Sequence, residues 1–442
     1  MHNSKRTLKD LSFSGNETGG NIINLIDRCN TFVGRAVLQR QLIKAPQSFE
    51  ALQEQQDAIR FWTKNAEKWP QLITNGTIVM LEKFYESADS YSGNPGGFSF
   101  LNGKVFQKLF NRNEYHFTQF SISHLSDFLK GCSEFVKLAD TEPALPSLLK
   151  NTFHEMKEKM EHRLTKDLIT INTNTPFKEV AQLSFHARRE MKANIQHLIE
   201  QYARLDALFS LAKASMEHHW NFPEILAQHE VRLEAKGLYH PLLDHAVKYD
   251  LNFSPGKNFM ILTGANMSGK TTLMRALGVS AILAHLGMGV PADAMRISFL
   301  EGVITNMHVE DDLLKGESFF LAEVLNMKQT AEAVAQSGSQ LVLMDELFKG
   351  TNVHDAYECT KAIVEGLLKH PQHILILSTH LHEVARFFEH QQGLSFYCFH
   401  TTLGAEGNFE FNYLLSPGIS DERIGYKILV REGIVAILNG KG

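Results

Sequence analysis

The 442-residue chain is 43% hydrophobic and 21% charged, which is ordinary for globular protein and excludes collagen-like, mucin-like and disordered classes. That length calls for two or three domains, and its 44 Lys and Arg against 49 Asp and Glu leave a net charge of −5. Global attraction to nucleic acid or an anionic membrane is thereby excluded, so any DNA contact must come from a local basic surface.

The opening MHNSKRTLKD leads into no apolar run of signal-peptide kind. From about Gly20 to Trp220 apolar residues recur at spacings of three and four, as in Ile22, Ile26, Cys29, Val33 and Val37. This predicts helix. A loop-like SGNPGGFSFLNG at 92–103 and a smaller break at Pro176 interrupt the pattern. A second helical run is predicted over Phe185–Met216, with Ile195, Ile199, Tyr202, Leu205, Leu208 and Leu211 in register.

Near residue 228 the pattern changes to short apolar runs alternating with helices: NFMILT, GVITNMHV, QLVLMD and HILILST. Such alternation predicts a mixed sheet flanked by helices on both faces. SFYCFHTT and NFEFNYLL around LGAEG read as an edge hairpin. The expected architecture is α plus α/β, with a helical domain at 1–227 and an α/β domain at 228–442. The four cysteines, Cys29, Cys132, Cys359 and Cys398, form no metal-ligand spacing and read as reduced core residues. The longest apolar stretch, 279–290, is interrupted by His285 and Gly287, so no membrane span is expected and the location reads as cytoplasmic.

Gly264 to Thr271 satisfy GxxxxGK[ST] between a strand and a helix. This loop, Gly264, Ala265, Asn266, Met267, Ser268, Gly269, Lys270, Thr271 and Thr272, aims backbone N–H groups and a helix N-terminus at phosphate oxygens. Lys270 is expected on the β and γ phosphates of ATP and Thr271 on Mg²⁺. Downstream, Asp345 and Glu346 end an apolar strand, placing one carboxylate for the metal and one to polarise a water. The bland readings are a chance glycine turn and a solvated strand end. His380 follows a third strand and reads as a γ-phosphate sensor, against the alternative of a surface or capping histidine.

GANMSGKTT, GESFFLAEV at 316–324, LMDELFKGTNVHDA at 343–356 and STHLHEV at 378–384 resemble, in order and style, the MutS family of DNA mismatch repair ATPases. LYHPLLD and LLSPGISDERIGYKILVREGIV resemble it too, as do NIINLIDRCNTFVGRAVLQRQLI and EALQEQQDAI of its core and YARLDALFSLAKAS of its lever. The resemblance implies an ABC-like P-loop ATPase domain behind a core and lever. It further implies a homodimer whose ATP sites are completed in trans by the partner's GESFF segment, here Gly316 and Ser318. Read without the family, those two are a helix cap. Tyr249 and Tyr413 are the expected adenine-stacking pair, or simply core aromatics. Ala265, Glu317 and Phe319 stand where the family usually has Pro, Arg and Thr.

The chain begins almost at the core-like segment, so the mismatch-recognition and connector domains are expected to be missing and the clamp absent or very short. The remaining DNA surface lies around Arg188, Arg189 and Lys192 in HARREMK and in the nearby 150–166 segment, which reads equally as a solvated, ion-paired helix. Three functions follow: a DNA-associated dimeric ATPase linked to DNA repair, an ATP-driven switch or scaffold acting on a protein partner, or a transporter motor needing a membrane partner.

Overall fold

The computed structural model describes residues 1–15, 20–87, 112–172, 174–227, 231–307, 319–336, 338–403, 409–420 and 434–438. The chain divides into two compact units: Ile26–Arg40 with Glu54–Met216, and Met1–Leu25 with Gln41–Gln53 and Glu217–Gly442. The expected boundary near 228 therefore does not describe the N-terminal residues, which belong with the C-terminal ones. Their attachment is specific. After helix α1 (Lys5–Asp10) is capped by Ser4, Thr7 Oγ1 donates to the Val303 carbonyl at 3.2 Å, and Asp10 accepts from Thr305 Oγ1 at 2.6 Å.

The helical run starting at Ile22 is two helices, α2 (Ile22–Ile26) and α3 (Phe32–Ile43), separated by residues 27–31. The cause is tertiary. Asp206 accepts the backbone N–H groups of Asn30 and Thr31, each at 2.9 Å, and the Thr31 hydroxyl at 2.7 Å, so amides that a continuous helix would use internally go to a buried carboxylate. Burial alone pushes the Asp206 carboxyl up, and those three donors act against the rise.

The first unit continues through the Glu54–Lys64 part of α4 (Phe49–Lys64) and α5 (Asn75–Glu86) to the 30-residue α6 (Arg112–Thr141). Against α6 pack α5, α7 (Ser147–Met160), α8 (Arg163–Thr170) and α9 (Phe177–Glu190). The second predicted run is broken at Met191, so α10 spans Lys192–Glu217. The aromatic core holds the unit together: Trp69 stacks on Phe209 at 4.1 Å, and Trp62 meets Trp69 edge-on at 5.1 Å. The loop-like 92–103 lies outside the described residues.

In the second unit, β1 (Glu224–Leu226), β2 (Leu233–Leu238), β3 (Tyr249–Phe253) and β5 (Ala294–Ser298) form a four-stranded sheet of order β1-β5-β2-β3. A six-stranded sheet of order β10-β9-β4-β8-β7-β6 carries the predicted strands. These are β4 (Phe259–Thr263), β6 (Gly302–Asn306), β7 (Gln340–Asp345), β8 (Ile374–Ser378) and the hairpin β9 (Leu394–Leu403) and β10 (Phe409–Pro417). The five strands from β9 to β6 are parallel neighbours, and β10 pairs antiparallel at the edge as expected. The β4 and β8 side chains are buried throughout, which is why they read as continuous apolar runs. Helices α11 (Lys270–His285), α12 (Phe319–Val334), α13 (Val353–Leu367) and α14 (His382–Phe387) connect them, and α15 covers Ile434–Leu438.

Among the described residues no helix is long and apolar enough to cross a membrane. Cys132 and Cys398 are buried as expected, whereas Cys29 and Cys359 are only half-buried.

His285, which interrupts the apolar run of α11, is fully buried as a neutral ring: it bonds the Ala281 carbonyl at 2.8 Å and accepts the Leu300 amide at 2.8 Å. Burial depresses its pKa from 6.5 to about 4. A depressed base makes its contribution above the unfolded pKa and loses it as pH falls, because the unfolded chain binds the proton first. Wild-type stability should therefore drop between pH 6.5 and 4 by about 3 kcal/mol more than that of His285→Gln, whose side chain does not titrate. Urea midpoints across that window check this, and parallel curves would contradict it.

Candidate functional site

Three buried strands end at one edge. In register, Leu262 of β4 faces Ser378 of β8, and Ser378 faces Asp345 of β7, so the loop after β4 and the carboxylates after β7 meet at the carboxyl ends of the sheet. Gly264 and Gly269 bracket the loop with φ of +137° and +107°. A Cβ on Gly264 would lie 3.0 Å from the Phe399 carbonyl, so both conformation and space require glycine there. Gly269 is the N-cap of α11 and offers no side-chain cap, leaving the first amides of that helix for another acceptor.

Lys270 is buried, its ammonium donating to the Gly264 carbonyl at 2.8 Å and the Ala265 carbonyl at 2.9 Å, with Glu346 Oε1 4.0 Å away. Burial pushes its pKa down, while Glu346 and Asp345 pull it back up. Thr271 Oγ1 donates to Asp345 Oδ2 at 2.6 Å. Asp345 Oδ1 and Ser268 Oγ are buried with no hydrogen-bond partner among the described residues. An orphaned carboxylate oxygen beside a threonine hydroxyl fits a hard divalent cation held jointly with phosphate oxygens and water. The donor set thus suits Mg²⁺ with a nucleotide.

Glu346 sits in the left-handed region, φ +53°, its amide fixed to the Ser378 carbonyl at 2.9 Å. Its carboxylate lies 3.1 Å from Lys349 Nζ and 3.8 Å from His380 Nδ1. His380 is half-exposed and thus stands at the site. Asn266 and Thr272 line the same cavity of about 810 Å³, as does Met267, which has φ +70° and is 78% exposed.

Tyr249, at the start of β3, and Tyr413, on β10, both border that cavity. A Cβ on Gly269 would lie 3.3 Å from Tyr413 Cδ1 and 3.6 Å from the Tyr249 hydroxyl. Tyr249 rests edge-on against Phe399 at 5.9 Å, and burial raises its pKa. The aromatic pair is therefore beside the loop. Gly316 and Ser318 lie outside the described residues.

Of the basic trio in the helical unit, Arg188 is buried with its guanidinium 4.4 Å over the Phe84 ring and donating to the Ser87 carbonyl at 3.4 Å, which removes it as a phosphate contact. Arg189 is exposed but stacked on Phe185 at 4.1 Å, and Lys192 is exposed.

Sequence reasoning passed over two residues. Lys349 neutralises Glu346, and Glu323 of α12 accepts the amides of Lys349 and Gly350, each at 3.1 Å, while itself buried. The signal was present as one acid in the largely apolar FFLAEVLNM, since a carboxylate is buried only with partners.

The strand, glycine loop and helix have the form of a P-loop. Residues 260–436 match the model of MutS domain V. The DNA mismatch repair protein MutS of Halalkalibacterium halodurans is 32% identical over 196 residues, 43% of this chain and 22% of that protein. MutS 1 of Halobacterium salinarum is 32% identical over 204 residues, 46% and 23%, and MutS of Leuconostoc citreum 30% over 249 residues, 55% and 28%. Residues 260–436 are thus similar to MutS domain V, and the alignments span only about a quarter of the length of these relatives.

Replacing Lys270 with Ala should weaken binding of a fluorescent ATP analogue about a hundredfold or more, since a charge-assisted contact and the loop clamp are both lost. Tyr413→Ala should weaken it only about five- to tenfold, the worth of one aromatic stacking contact. Equal losses, or none, in a fluorescence titration would contradict these placements.

Proposed function

We propose that this chain is a Mg²⁺-dependent ATPase that hydrolyses ATP to ADP and phosphate, working as a homodimer in processes linked to DNA repair. The observation that carries the reading is the Thr271–Asp345 hydrogen bond at the mouth of the P-loop with Glu346 next in sequence. Mg²⁺ held by Thr271 and Asp345 would supply charge neutralisation on the phosphate oxygens. Loop amides and the Lys270 ammonium bind the β and γ phosphates, and Tyr249 and Tyr413 flank the base.

Glu346 accepts a proton from the attacking water as the water oxygen bonds to the γ phosphorus and the bond to the bridging oxygen breaks, its electron pair leaving with ADP. His380, beside Glu346, donates a hydrogen bond to the departing phosphate. Gly316 and Ser318 of a second copy complete each site. The matched relatives are named for DNA mismatch repair, and a duplex would meet this chain through exposed bases such as Arg189 and Lys192. With Arg188 committed to packing, that surface is thin, which favours the second reading of an ATP-driven switch or scaffold gripping a protein partner.

In Glu346→Gln nucleotide binding should persist while phosphate release falls about a hundredfold or more, because only proton acceptance is lost. Loss of both together, measured by analogue titration and a phosphate-release assay, would remove Glu346 from that role.

Binding to duplex DNA should be weak, should fall steeply with salt, and should differ little between matched and mismatched duplexes, because phosphate contacts carry no base information. Fluorescence anisotropy at low and moderate salt, with a non-hydrolysable ATP analogue, tests this. No binding would point to the protein-partner reading, and a mismatch preference that survives salt would overturn the phosphate-only mode.

A further inference from the structure

The residues after Asp345 form a tight loop in a costly conformation: Glu346 has φ +53° and Phe348 φ +61°, neither being glycine. Side chains in that region persist only where their surroundings over-determine them. Three features do so here. The Glu346 amide is tied to the Ser378 carbonyl at 2.9 Å. A Cβ on Gly350 would come within 2.6 Å of Phe319 Cδ1 and 2.9 Å of the Phe320 amide nitrogen, so the loop lies directly on the first turn of α12. The third feature is Glu323, one turn further along α12, whose two carboxylate oxygens each take one of the consecutive amides of Lys349 and Gly350 at 3.1 Å.

Lys349 is thus held at both ends. Its amide is on Glu323, and its ammonium is 3.1 Å from Glu346 Oε2. A change in the grip on the backbone of Lys349 therefore moves the counter-charge of the Glu346 carboxylate, three residues nearer the sheet.

We infer that Glu323 is a positioning residue for Glu346: by clamping the 349–350 amides to α12 it fixes the 346–350 loop and aims the Glu346 carboxylate. The inference deepens the hydrolysis reading and rests on it. The effect of Glu323 on Glu346 passes through the loop amides it holds. Because α12 begins at Phe319, directly after the segment expected to meet a second copy, the same clamp makes water activation in one copy sensitive to any displacement of that helix.

The variants are Glu323→Gln, which replaces one of the two acceptors with a donor, and Glu323→Asp, one methylene too short to reach both amides. The second serves if the first does not fold. Glu332→Gln, on the exposed side of the same helix, is the control. In the full-length chain the Glu323 variants should bind a fluorescent ATP analogue within about threefold of wild type while turnover falls about tenfold or more, since an ångström of misplacement at a reacting group carries that cost.

Backbone amide exchange at Lys349 and Gly350 should quicken without nucleotide, and Glu323→Gln should add no further loss in a Glu346→Gln background. Asp should restore part of the turnover that Gln loses. Turnover within about twofold of wild type, an equal loss of affinity and turnover, or a full additional loss on top of Glu346→Gln would each overturn the inference. A wild-type chain that binds the analogue but releases no phosphate would instead overturn the hydrolysis reading, while unchanged exchange at 349 and 350 would sink the clamp independently of any activity.

Discussion

Charge burial at the ends of β4, β7 and β8 is the constraint around which the second unit is organised. Lys270, Asp345 and Glu346 are drawn to one edge of a sheet whose strands are apolar on both faces, where an unpaired charge is costly. Each is compensated locally: Lys270 by two carbonyls and Glu346, Asp345 by Thr271, Glu346 by Lys349. Among the described residues the compensation is incomplete at Asp345 Oδ1 and Ser268 Oγ, both buried beside the loop.

The same edge stores backbone strain. Met267, Glu346 and Phe348 all have positive φ, and Tyr413 joins them at φ +54° across the cavity. Three of these, Met267, Glu346 and Tyr413, border one cavity and amount to a preorganised surface, because the groups that hold each one in place also fix where its neighbours point. The cluster of parallel strands supplies the rigidity: residues of β4, β7 and β8 with α12, α13 and α14 form one continuous apolar core beneath it.

What sequence revealed follows from the range of the interactions involved. The P-loop was visible because its chemistry is local, nine consecutive residues between strand and helix. The strands were visible because burial on both faces leaves unbroken apolar runs, as in FMILT and ILILS. The break between α2 and α3 was not, since it is made by Asp206, some 175 residues away along the chain, taking amides that periodicity assigned to a helix. Arg188 looked like a phosphate ligand because its spacing says nothing about the Phe84 ring that covers it. The N-terminal residues were assigned to the helical half for the same reason: the Asp10–Thr305 and Thr7–Val303 bonds that carry them to the edge of the six-stranded sheet span nearly 300 residues. Tyr249 and Tyr413 were reached through family resemblance alone, and both lie beside Gly269.

Lysine carries three donors, and two of those on Lys270 are spent on the carbonyls of Gly264 and Ala265. The ammonium therefore closes its own loop and still has one donor for an oxygen in the cavity, so the same side chain that shapes the phosphate site can contribute to it without rearranging the loop. Glu346 has an analogous division of labour. One carboxylate oxygen faces Lys270 at 4.0 Å, and the other faces Lys349 and His380 at 3.1 and 3.8 Å. A carboxylate between three nitrogen groups is held by geometry as well as by charge, and Lys349 among them is held by its backbone amide on Glu323. Aim at this site is thus set by a residue on α12, outside both motifs that the sequence announces, because a motif specifies which groups react while the orientation of those groups is fixed by whatever buries the loop between them.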